Sequence, residues 1–162
     1  MKQLFCLILT LGLLFPGCAA LSEGAPGSAV FYYLRSDYQE DMGSLIQSEN
    51  RDVGDNQGDL SYLLALYLIG PSGEELTSPL PEDTTVQSVR KIGSTIVLRL
   101  SDTGQDLTDS QFTMACACLA LTCLDQSDAA EVMIHSGERS ITMSRDNLAM
   151  IDPPISPTEE TQ

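Results

Sequence analysis

Basic side chains are scarce in this chain: eight Lys and Arg stand against 23 Asp and Glu, and there is a single His. So acidic a surface repels phosphate, which excludes nucleic acid as a partner. One His leaves little for catalysis, because a nucleophilic enzyme needs Ser or Cys, a base and an orienting group brought together. His135 lies in an alternating stretch opposite Val132 and Ile134 and reads as a solvent-side residue. Zinc would need partners at ligand-like spacing, and His135 has none. Long apolar runs are also missing. The longest, Leu4 to Phe15, is about a dozen residues, short of the roughly 20 that cross a bilayer. No Gly-rich phosphate loop precedes a helix, since Gly70 and Gly73 follow one. The acidic run Asp52-Val53-Gly54-Asp55-Asn56-Gln57-Gly58-Asp59 does not have EF-hand spacing and reads as a solvated loop with Asp59 at a helix N-cap. These absences predict a protein that is not an enzyme and holds no cofactor or metal.

What the sequence does contain begins with an export signal. Lys2, the apolar run and Leu14-Phe15-Pro16-Gly17-Cys18 read as a leader over residues 1–17, with Cys18 as the first mature residue and the site of lipidation. Phe15 and Pro16 depart from the bacterial lipobox, and cleavage after Ala20 by ordinary signal peptidase is the alternative. Residues 18–162 keep seven Lys and Arg against 23 Asp and Glu, a formal charge of −16. Anionic head groups do not attract such a chain. Membrane attachment therefore rests on acyl chains at Cys18, and the expected location is the extracytoplasmic face of the cell membrane. Cys116, Cys118 and Cys123 fall within one predicted helix. Residues 116 and 123 lie roughly 10 Å apart along its axis at about 1.5 Å per residue, too far for a disulfide. The three thiols are expected to act as small apolar core groups.

Residues 18–28, with Ser22, Gly24, Pro26 and Gly27, read as a flexible tether, and residues 147–162, with Pro153, Pro154, Pro157, Glu159 and Glu160, as an acidic tail. The domain is expected over 29–146. Its first strand is Ala29 to Ser36. A half-exposed second strand follows over Leu45 to Val53. Leu60, Leu63, Leu64, Tyr67 and Leu68 give the spacing of an amphipathic helix stopped at Gly70-Pro71. A hairpin turning at Gly93 comes next, in which Ile96, Leu98 and Leu100 alternate with Thr95, Val97 and Arg99. Thr108 and Gln111 form a capping box before the stripe Phe112, Ala115, Cys116, Leu119, Ala120 and Cys123. Two further strands, Ala130 to Ser136 and one around Ile141 and Met143, complete the order ββαββαββ. The expected fold is α+β, a two-layer sandwich of one largely antiparallel sheet with two helices on one face.

The segment from Leu60 to Pro71, the loop Leu76-Thr77-Ser78-Pro79-Leu80-Pro81 and the strand from Ile96 to Ser101 resemble the GerMN domain of sporulation and spore-germination lipoproteins. The resemblance implies a non-catalytic extracytoplasmic domain, similar in topology to ring-building modules. It also implies a role in assembling envelope or sporulation-complex proteins. The cysteine cluster and the long acidic stretch before the first helix depart from the family's pattern. The rival expectations are a cell-envelope hydrolase or its regulator, and a small-ligand-binding lipoprotein. A second apolar row on the later helix, Met114, Ala117, Cys118, Leu121 and Leu124, makes it hydrophobic almost all round. Part of that row, Met114, Cys118 and Leu121, is therefore expected to serve self-association or docking.

Overall fold

The strand β1 (Ser28–Arg35) carries Val30, Phe31, Tyr32, Tyr33 and Leu34, aromatic and branched groups that favour a pleated, covered position. It sits centrally in a three-stranded sheet, antiparallel to β2 (Ile46–Asp52) on one side and to β3 (Leu76–Thr77) on the other. The computed structural model describes residues 27–37 and 43–151. The more polar β2 takes the edge, as its Gln47, Glu49 and Arg51 lead one to expect.

Helix α1 (Leu60–Leu68) starts where Asp59 accepts hydrogen bonds from the backbone N–H groups of Ser61 and Tyr62, and it ends at Gly70, whose φ of 97° suits a residue without Cβ. The hairpin of β4 (Val86–Ile92) and β5 (Thr95–Leu100) follows. Helix α2 (Asp109–Asp125) opens on the capping box of Thr108 and Gln111. Then come β6 (Glu131–Ser136), β7 (Arg139–Ser144) and the short helix α3 (Arg145–Ile151).

The α+β class stands, and the strands are antiparallel but for one pair. The single sheet expected from the sequence is divided in two. Strands β4, β5, β6 and β7 form a separate four-stranded sheet in that order, with β5 and β6 parallel. The join between β5 and β6 is α2, and a parallel crossover needs such an intervening helix. The reason for the division lies in α2, which buries Ala117, Cys118, Thr122 and Leu124 as well as the predicted stripe. One sheet covers only one side of a helix. Here β1 packs on α2, with the Tyr32 N–H donating to Thr122 Oγ1 at 3.1 Å, while β6 and β7 pack on it as well.

The domain also extends beyond residue 146, where the tail was expected to begin. α3 carries a buried Leu148 against α2 and β7. The Asn147 side-chain carbonyl accepts from the Ser144 N–H at 2.7 Å, so Asn147 braces the start of this helix instead of opening an irregular tail.

Candidate functional site

The side chains singled out by sequence fall in very different places. Cys18, together with residues 1–26 and 152–162, lies outside the described residues. Cys118 is 0 % exposed, so it is no surface residue, contrary to the expected docking row. Met114 and Leu121 are half-buried and pack against the core. Rows on opposite sides of α2 are both used in folding the domain, because two sheets enclose the helix. The sequence shows that this helix needs covering; it does not show that the cover is the chain's own β1.

Cys116, Cys118 and Cys123 are buried thiols outside any disulfide. Burial pushes the Cys116 and Cys123 thiols up to about 12, so neither supplies a thiolate near neutral pH. A thiol reagent should therefore leave these three thiols unmodified in the native protein and label them only on unfolding. Labelling at native rates equal to those of a free cysteine would refute the buried assignment. The same shift has a sign for stability. The folded state keeps protons that the unfolded chain loses above about pH 8.5. Stability accordingly falls as pH rises from there toward 12. Tyr33 and Tyr67, whose hydroxyls burial pushes up as well, act in the same direction.

Three arginines serve structure. Arg51 pairs with Glu49 and donates to the carbonyls of Leu66 and Gly70 and to Tyr33 Oη, while its guanidinium lies 5.1 Å from the Phe31 ring centroid. This ties the C-terminal end of α1, where carbonyls lack helical partners, to edge strand β2. Tyr33 stacks on Tyr67 with ring centroids 4.7 Å apart and donates to the Tyr67 carbonyl. Arg139 lies 3.9 Å from the Phe112 ring centroid and donates to the carbonyls of Gly104 and Leu107. Arg145 donates to the Leu124 carbonyl and to Asp125, at the C-terminal end of α2.

His135 is half-buried on β6, opposite the buried Val132 and Ile134, as its alternation suggested. Among the described residues, no group of three or more His, Cys, Asp or Glu side chains could hold a metal ion. No helix of the described residues is long and apolar enough to cross a membrane.

The structure leaves two surfaces open. On α1 and its C-cap, Tyr62 is 41 % and Ile69 80 % exposed, an outward apolar side that the hydrophobic spacing of Leu63, Leu64 and Tyr67 does not reveal. A cue was present in its composition, since Ser61 is the one polar residue of the helix. On the four-stranded sheet the inner face buries Ile96, Leu98, Leu100, Val132 and Ile134. Its outer face presents Arg90, Ile92, Thr95, Val97, Arg99, Met133 and His135, all half-buried or exposed.

A family model described as Germane, for sporulation and spore germination, matches residues 30–140. No curated protein matches the chain in sequence. Among solved structures, the tandem GerMN domains of the sporulation protein GerM from Bacillus subtilis are similar at a TM-score of 0.56 and 18% identity, over 77% of this chain and 43% of that one. The first GerMN domain of that protein gives a TM-score of 0.53 and 14% identity over 70% of this chain and 85% of that one. The chain thus spans less than half of the tandem-domain structure.

Proposed function

Because the chain belongs to the Germane family of sporulation and spore germination, we propose that it is a non-catalytic adaptor that holds envelope or sporulation-complex proteins at the extracytoplasmic face of the cell membrane. One observation carries this reading. The thiols of Cys116, Cys118 and Cys123 are committed to the core, whereas an open sheet face and the outer side of α1 stand ready for macromolecular contact. Fold likeness to GerMN domains supports it further.

The anchor in this reading is acyl chains on Cys18. The described domain begins at Gly27, nine residue steps from Cys18, which reach at most about 30 Å when fully extended. A domain held so closely meets membrane-bound partners in preference to distant ones.

Mass spectrometry of the protein extracted from membranes should show a diacylglyceryl group on an N-terminal Cys18. A Cys18→Ser substitution should shift nearly all of the protein from the membrane fraction to the soluble one. An unmodified mature terminus, or an unchanged distribution, defeats the anchoring. Crosslinking in intact membranes should return a discrete set of envelope proteins. Absence of any crosslinked species, together with turnover of a cell-wall substrate, would favour the hydrolase instead.

A further inference from the structure

The domain handles its few cations unevenly. Arg35, Arg51, Lys91, Arg139 and Arg145 pair with Asp37, Glu49, Asp128, Asp109 and Asp125. The side chains of Arg90 and Arg99 make no hydrogen bond or ion pair among the described residues, and both are exposed. In a chain with 23 carboxylates, leaving two guanidinium groups open is a choice of position.

They are neighbours on one surface. In the β4–β5 ladder Arg90 faces Val97 and Ser88 faces Arg99, so the two arginines are diagonal partners on the outer face, about 7–8 Å apart for such pairs. Across the parallel ladder Val97 faces Met133 and Arg99 faces His135. The one carboxylate at strand positions of this face is Glu131, at the far end beside Thr95, whose hydroxyl donates to it at 2.8 Å. Val97 and Met133 form an aliphatic floor next to the two cations.

We propose that this outer face of β4, β5 and β6 recognises an acidic, extended polypeptide segment of a partner protein; the proposal rests on the adaptor reading and names its binding site. Charge complementarity sets the sign, because this is where the surface has unpaired positive groups. Geometry sets the form. Carboxylates two residues apart in an extended chain are separated by roughly 6.6 Å, close to the diagonal spacing of Arg90 and Arg99. Each guanidinium fork can take a carboxylate through two parallel hydrogen bonds. A third same-side residue would continue along that diagonal past Arg99 toward His135 on β6. Long polyanions fit less well, since the rest of the surface repels them.

The test is an NMR titration of the 15N-labelled full chain at low salt with a short synthetic peptide carrying two glutamates two residues apart. Expected are amide shifts centred on Arg90, Val97, Arg99 and Met133. Binding should weaken at least ~10-fold when glutamine replaces both glutamates, or in an Arg90→Glu/Arg99→Glu variant. Both arginines are exposed, so the variant should retain the parent's spectrum elsewhere. Absent shifts, shifts centred on another surface, or an equal response to the glutamine peptide would overturn the site. Concentration-dependent shifts of the same residues without peptide would assign the face to a second copy. Tighter peptide binding after truncation beyond Ile151 would assign it to the chain's own Asp152, Glu159 and Glu160. Either result also overturns the proposal. Persistent envelope crosslinks in the charge-reversed variant would leave the adaptor reading intact while this site falls.

Discussion

Replacing Arg51 by Met is expected to lower stability by about 3–5 kcal/mol, the usual effect of removing one partner from a largely buried ion pair. The side chains of Arg51 and Glu49 are only 11% and 14% exposed, so water replaces little of what is lost. Removing the guanidinium leaves the Glu49 carboxylate without its counter-charge. It also strips the Leu66 and Gly70 carbonyls at the end of α1 and the Tyr33 hydroxyl of a donor. Glu49 additionally accepts from the N–H groups of Ser72 and Gly73, so the damage spreads to the turn that follows α1. At roughly 4 °C per kcal/mol for a domain of this size, the melting temperature should fall by about 12–20 °C. A second change, Glu49→Gln, removes the stranded charge yet keeps an acceptor for the turn. The double variant should recover a substantial part of the loss. Thermal unfolding followed by circular dichroism gives both values. A single variant within about 1 kcal/mol of the parent would show that the pair is no more than a surface ion pair.

Introducing a charge at Cys118 should have a still larger effect. The residue is fully buried in the middle of α2, near β1 and the stacked Tyr33 and Tyr67. A Cys118→Glu variant must bury a carboxylate among apolar groups with no counter-ion, or protonate it and still overpack a thiol-sized space. The cost exceeds about 5 kcal/mol, comparable with the whole stability of a small domain. Urea unfolding should show no cooperative transition for this variant, whereas Cys118→Ala should retain one. A folded Cys118→Glu protein with altered association would instead return Cys118 to the surface. The pair of variants thus separates a residue that builds the domain from one that recruits partners.

Much of this protein is legible in its sequence because the relevant information is local. Asp59 and Thr108 cap helices through backbone groups two or three residues away, and Gly70 and Gly93 take left-handed turns that need no distant partner. The alternation of Ile96, Leu98 and Leu100 identifies the buried face of β5 because a strand has a period of two. Several cues for the open surfaces were also present, namely the apolar composition of α1 and the placement of Arg90 and Arg99 in alternating strands. Their meaning was not, since neither periodicity nor charge shows which cations find carboxylates across the fold.

By itself the sequence determined the two main helices, the hairpin, the acidic balance and the commitment of Cys116 and Cys123 to the interior, each through contacts within a few residues or through composition. Only the tertiary structure decided that the strands divide into two sheets, that Cys118 faces β1 instead of a partner, and that Arg90 and Arg99 remain unpaired side by side. Those outcomes depend on which segments meet across long stretches of chain. α2 is apolar around its whole circumference, and such a helix can be satisfied by any cover; the fold supplies that cover from both sides and leaves Arg90 and Arg99 on the outer surface of the four-stranded sheet.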